Sequence, residues 1–151
     1  MTKCMEYILG INACFTSNHH DPSVALLKNG EPIFALEEER LNRNKTSSGV
    51  FPIFALHKAL KSARINIKDI SKIGVPGITA QDLVPKVIRV IEHYFDYCPE
   101  ILVFHHEHCH AAAAHFSSGF ETSHAIALDG YGDKSSGCHL YIDKGNITEL
   151  N

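Results

Sequence analysis

Tyr7-Ile8-Leu9-Gly10-Ile11-Asn12-Ala13, followed by Ser23-Val24-Ala25-Leu26-Leu27, Lys28-Asn29-Gly30-Glu31 and Pro32-Ile33-Phe34-Ala35-Leu36, decides how this chain folds. The first run is short, apolar and bounded by a polar loop from Cys14 to Pro22, the pattern of a buried strand. Asn29 and Gly30 accept the positive φ of a tight turn, so the next two runs fold back on each other as a hairpin. Three consecutive strands therefore open the fold. Beyond them the period changes: Ile53, Phe54, Leu56, Leu60 and Ala63 fall mainly at three- and four-residue spacings after Pro52, predicting a helix from Phe51 to about Arg64. Ile65 to Ile70 reads as a connector, and Lys72-Ile73-Gly74-Val75-Pro76-Gly77 as a short strand ending in a turn. Leu83, Val84, Val87, Ile88, Ile91 and Phe95 predict a second helix within 81–97, stopped by Pro99, before the apolar strand Ile101-Leu102-Val103-Phe104. An antiparallel hairpin followed by crossover units predicts an α/β fold, a mixed RNase H-like sheet with helices on both faces.

The chain then starts again. Ala125-Ile126-Ala127-Leu128 is a fresh apolar strand ending at Asp129-Gly130, and Gly137-Cys138-His139-Leu140-Tyr141-Ile142 runs into the turn Asp143-Lys144-Gly145-Asn146. This repeats the layout of residues 7–31, so residues 1–120 are expected to form a first half-domain and 121–151 the start of a second, cut off after two strands. An unfinished sheet points to a piece of a longer protein or one part of a split one, and its open edge makes a dimer through that edge an expected association.

His105-His106-Glu107-His108-Cys109-His110-Ala111 follows the last strand of the first half. If a helix opens here, His106 and His110 leave the same face one turn apart, whereas His108 lies about 200° and His105 about 100° around from His106. A solvated, histidine-rich helix start would have the same spelling. Asp129, at the C-terminal end of the next strand, adds a carboxylate where open α/β sheets bind ligands. Two imidazoles and one carboxylate suit iron(II), zinc or manganese rather than calcium. Gly130 and Gly132 remove side chains that would keep a phosphate from the backbone, although Asp-Gly-x-Gly also spells an ordinary turn. His106-Glu107-His108-Cys109-His110 also matches the His-Glu-x-x-His pattern of zinc proteases, with Glu107 as the base. The charge run Glu37 to Lys45 reads equally as a solvated strand end and loop.

Composition narrows the function classes. At 151 residues and a net charge of −3 the chain has no basic footprint, so nucleic acid is not expected as a partner and a small molecule is. Five cysteines without a Cys-x-x-Cys pair are expected as free thiols in the cytoplasm. No apolar run reaches the ~18 residues of a membrane span.

Four segments in order resemble the carbamoyltransferases of the NodU/CmcH type. Ile8-Leu9-Gly10-Ile11 with His20-Asp21-Pro22-Ser23-Val24-Ala25-Leu26 is similar to that family's opening strand, His-Asp loop and second strand. Glu38-Glu39-Arg40-Leu41-Asn42-Arg43-Asn44-Lys45 resembles its Glu-Glu-Arg-Phe-x-Arg-x-Lys segment, and His105 to Ala112 and Leu128 to Gly132 its His-rich and Asp-Gly motifs. The family's transferase domain is similar to the tRNA threonylcarbamoyl transferases, of the acetate and sugar kinase, heat-shock protein and actin superfamily. The resemblance implies transfer of a carbamoyl group from carbamoyl-adenylate, made from carbamoyl phosphate and ATP, to a hydroxyl or amine of a small acceptor. It implies His106, His110 and Asp129 as ligands of an iron-type metal, with Lys45 and His110 at the reacting centre. Lys45, Gly130, Tyr131 and Gly132 are expected along the nucleotide pocket, and His20 and Asp21 are candidates for positioning the acceptor or for capping a loop. The family carries a further half-domain and a YrdC-like, donor-forming domain, which are expected partners in cis or in trans; alone, this chain is expected to be inactive. The alternatives are an acetate- or sugar-kinase-like phosphotransferase, a non-catalytic metal-binding half-domain and the zinc protease.

Overall fold

In a computed structural model describing residues 5–16 and 19–150, strands β1 (Tyr7–Asn12), β2 (Ser23–Lys28) and β3 (Glu31–Glu37) come first. A one-turn helix α1 (Glu39–Asn42), helix α2 (Ile53–Ala63), a 3-10 turn Ile67–Asp69 and strand β4 (Ile70–Pro76) follow. Helix α3 (Leu83–Phe95) and strand β5 (Glu100–Phe104) complete a five-stranded sheet of order β3-β2-β1-β4-β5. β2 runs antiparallel to both β1 and β3, and β1 runs parallel to β4 with Leu9 opposite Ile73. This is the mixed, RNase H-like order expected from the strand and helix periods.

Contacts divide the chain into two compact units. The first holds the strands through Val75 together with Asp82–Leu102. Tyr7, Leu9 and Ile11 of β1, Val24 and Leu26 of β2, and Ile70, Ile73 and Val75 of β4 alternate into its core. Ala55, Leu56, Ala59 and Leu60 of α2 and Leu83, Val87 and Ile91 of α3 supply the helical faces, at the three- and four-residue spacing that defines one stripe. Pro32 is tolerated because β3 is an edge strand.

The charge run after β3 is not a solvated strand end. Glu38 is fully buried, and its carboxylate accepts hydrogen bonds from the backbone N–H groups of Phe54 at 3.1 Å and Ala55 at 2.8 Å. These are two of the orphan donors in the first turn of α2, which has no side-chain cap from its own N-cap residue, Pro52. An acceptor-only, negatively charged group suits that helix end. The rest of the run forms α1 and a turn held by Asn42, Asn44 and the buried Ser47.

The second unit holds Pro76–Gln81 and the chain from Val103 onward. Helix α4 (His106–Ser118) packs on strands β6 (Thr122–Gly132) and β7 (Ser135–Asp143), and β8 (Asn146–Glu149) extends an antiparallel sheet of order β6-β7-β8. Ala111 of α4 packs in one buried cluster with Ala125, Ala127, Leu140 and Ile142; the three small alanines let helix and sheet approach closely. The packing break thus precedes α4, where the sequence places the half-domain boundary after it. The restart also runs to three strands rather than two, because Ile147 pairs with Ile142 beyond the turn. The two turns match: Asn29 and Gly30 have φ of 51° and 87°, and Lys144 and Gly145 have 48° and 84°.

Among the described residues Cys14, Cys98, Cys109 and Cys138 are free, and burial raises each thiol above its usual value; burial and then the Asp21 charge push Cys14 up to about 11. Cys4 lies outside the described residues. Among the described residues no helix is long and apolar enough to cross a membrane. Replacing Glu38 with Ala strands one buried and one part-buried N–H group, so the urea or thermal midpoint should fall by the equivalent of about 2 kcal/mol; an unchanged midpoint would remove Glu38 from this role.

Candidate metal centre

His106 is the first residue of α4, and His110 stands one turn on, so both rings leave the same helical face. Their ring centroids are 4.7 Å apart and their Nε2 atoms 3.1 Å apart. Asp129 reaches them from β6. The ladder between β6 and β7 breaks after Leu128 opposite Gly137 and resumes at Gly132 opposite Ser135, leaving Asp129, Gly130 and Tyr131 in a bulge. Bulges re-aim side chains. Here the bulge brings Asp129 Oδ2 to 2.8 Å from His106 Nε2 and 3.5 Å from His110 Nε2.

The donor set fits one transition-metal ion. Ligand atoms about 2.1 Å from a common ion and 90–110° apart are about 3.0–3.4 Å from one another, close to the observed 2.8, 3.1 and 3.5 Å. Hydrogen bonding alone serves the trio poorly, since a proton on His106 Nε2 given to Asp129 is not available to His110. The imidazole of His106, and then the N–H of Gly130, hold the Asp129 carboxyl below the usual carboxylate range. An ionised carboxylate with two imidazoles is a mixed nitrogen and oxygen set of the kind that binds divalent first-row metals. No other group of three or more potential ligand side chains occurs among the described residues.

The neighbouring histidines point elsewhere. His108 Nε2 lies 3.1 Å from Glu149 Oε2 on β8, and the His105 ring is 5.0 Å from that of His108. Glu107 is completely buried with neither carboxylate oxygen hydrogen-bonded, so it is not presented as the general base of a His-Glu-x-x-His protease.

A Cβ on Gly132 would clash with the imidazole of His106, so this glycine makes room for a ligand ring. Gly130 has open space around it, but its N–H is donated to Asp129 Oδ1 at 2.6 Å. Tyr131 projects into solvent.

Lys45, His20 and Asp21 belong to the first unit. Lys45 is exposed in the turn after α1. The next residue, Thr46, accepts the Asp21 N–H on its carbonyl at 2.8 Å, so the His-Asp loop and the Lys45 turn are fastened together. His20 Nδ1 lies 2.7 Å from Asp21 Oδ2. Asn12, at the end of β1, anchors the loop by donating to the carbonyls of His20 at 3.3 Å and Asp21 at 3.0 Å. Asn12 was not singled out from sequence, because an Asn ending a strand carries no special pattern.

No protein-family model matches the chain. An uncharacterised protein of Synechocystis is 25% identical over 185 residues, covering 94% of this chain and 28% of its own length. The nodulation protein NolNO of Sinorhizobium fredii is 29% identical over 153 residues, covering 78% of this chain and 20% of its own. The chain therefore spans less than a third of the length of these curated relatives. YeaZ from Pseudomonas aeruginosa superposes with a TM-score of 0.57 at 16% identity, covering 97% of this chain and 65% of that one. A second solved structure, described as similar to peptidase YeaZ from the same organism, gives 0.56. The chain shares the mixed α/β fold of these two structures.

Gly132→Ala should displace the His106 ring and weaken binding of added Zn(II) by about tenfold, the usual effect of disturbing a ligand's surroundings; titration calorimetry measures it. His106→Ala with His110→Ala should abolish binding of iron(II) or zinc by the purified chain, and unchanged metal content in the double variant would overturn the site.

Proposed function

We propose that this chain is the metal-binding part of a carbamoyltransferase, acting on a small-molecule hydroxyl or amine with carbamoyl-adenylate as donor. The observation that carries the reading is the convergence of His106, His110 and Asp129 at metal-ligand spacing. It is supported by the likeness to NolNO across most of the chain, the YeaZ-like fold, and the family motifs at His20-Asp21, Glu38–Lys45, His106–His110 and Asp129-Gly130.

The reaction is an acyl substitution. The acceptor oxygen or nitrogen bonds to the carbamoyl carbon, the bond from that carbon to the phosphate oxygen breaks, AMP leaves, and the acceptor gives up its proton. His106, His110 and Asp129 would hold a divalent ion, which when bound would supply Lewis-acid chemistry. The ammonium of Lys45 binds the carbamoyl donor and stabilises negative charge developing on it. With its Nδ1 engaged by Asp21, His20 keeps Nε2 free to orient the acceptor and take its proton. Tyr131, exposed beside the metal carboxylate, offers a ring and a hydroxyl to the nucleotide.

The further half-domain and the domain that forms carbamoyl-adenylate from carbamoyl phosphate and ATP complete the enzyme, in the same chain or in a partner. In that completed enzyme, Lys45→Ala should lower carbamoyl transfer by at least about a hundredfold, the scale of losing one charge-stabilising group, with metal content unchanged. Full activity in the variant would remove Lys45 from the mechanism, and AMP release that does not depend on carbamoyl phosphate would overturn the reaction class.

A further inference from the structure

Asp133 closes the turn between β6 and β7, four residues beyond the metal carboxylate. Its side chain gathers donors from two other segments. Oδ2 accepts the backbone N–H of His106 at 2.8 Å and of Ile78 at 3.1 Å. Oδ1 accepts the backbone N–H of Thr79 at 3.0 Å and the Thr79 hydroxyl at 2.9 Å. All four partners lie in the second unit. The turn itself is unfavourable for its residues, since Asp133 and Lys134 both have positive φ, 49° and 66°, without being glycine. Non-glycine residues persist in such a conformation when surrounding contacts over-determine it.

We propose that Asp133 is the positioning residue of the metal centre, an inference that rests on His106, His110 and Asp129 being metal ligands. His106 opens α4, and its N-cap residue, His105, provides no side-chain cap. Asp133 takes that place from another element, gripping the first N–H of the ligand helix. The same hairpin grips the His106 ring, through Asp129 on one side and the bare Cα of Gly132 on the other. His106 is thus held at its backbone and its imidazole by residues at most four positions apart. Helix and bulge cannot shift relative to each other without breaking one of these contacts.

The carboxylate is chemically required. Three of the four donors are backbone N–H groups that cannot reverse, and they are divided between both oxygens. Asparagine offers one acceptor oxygen and one amide donor, so either orientation sets an N–H against an N–H. The loop Pro76–Gln81 is joined to the ligand helix only through this acceptor and the bond from Gly77 N–H to the Phe104 carbonyl among the contacts described. Metal binding should therefore be felt at Ile78 and Thr79, and the coupling must be reciprocal.

The test uses the full chain with Zn(II) for affinity and Co(II) for its visible spectrum. Asp133→Asn is expected to keep its far-UV circular dichroism and to bind Zn(II) about tenfold or more weakly, with an altered Co(II) spectrum. In the wild type, metal should slow amide exchange at Ile78 and Thr79, and in Asp133→Asn it should not. A variant with wild-type affinity and spectrum, or exchange at Ile78 and Thr79 that ignores metal, overturns the proposal. Should Asp133→Asn fail to fold, Thr79→Val decides: it removes only the hydroxyl donor, and about threefold weaker binding is expected from one lost hydrogen bond, unchanged binding overturning the role. Wild-type protein that binds no metal would overturn the metal reading itself. Binding that is lost in His106→Ala with His110→Ala yet kept in Asp133→Asn overturns only the positioning role.

Discussion

Three atoms with lone pairs, two imidazole nitrogens and one carboxylate oxygen, are held within 3.5 Å of one another, and the second unit is organised around that constraint. Such donors do not gather spontaneously, because each is well served by water. Their approach is imposed by a helix that starts immediately after a strand and by a bulge that turns Asp129 out of its ladder. The small residues between helix and sheet allow the close packing this requires, with Ala111, Ala125 and Ala127 in one buried cluster.

The same device, an acidic side chain serving a helix start from a distant segment, occurs in both units. Glu38 supplies the first turn of α2, and Asp133 the first N–H of α4. In each case the helix lacks a side-chain cap from its own N-cap residue. A helix end left so is unsatisfied until tertiary structure completes it, which ties the position of the helix to the correct folding of the strand or hairpin that carries the acid. The two antiparallel strand trios, with matched positive-φ turns at Asn29-Gly30 and Lys144-Gly145, extend the likeness between the halves.

The strands, their order and the main helices were legible because each depends on local periodicity. Leu83, Val87 and Ile91 share one stripe whatever else the chain does, and Asn29-Gly30 turns wherever it is placed between two apolar runs. The facing of His106 and His110 was legible for the same reason. The burial of Glu38 was not, since a segment with five charged residues from Glu37 to Arg43 has the composition of a solvated surface, and its partners are 16 and 17 positions away. The zinc-protease spelling misled for a related reason: a linear motif does not state which face of the helix is buried, and packing of α4 on β6 and β7 places Glu107 inside.

From its sequence alone the chain specified the mixed α/β order and the pairing of two imidazoles on one helical face, both consequences of backbone geometry acting over a few residues. Tertiary structure alone decided that α4 packs with the strands that follow it, that Gly132 is glycine for the sake of the His106 ring, and that Asp133 joins the loop at Ile78 and Thr79 to the ligand helix. Those outcomes depend on contacts between residues up to 55 positions apart. Whether two such residues meet is settled by the packing of whole elements, which no local spacing records.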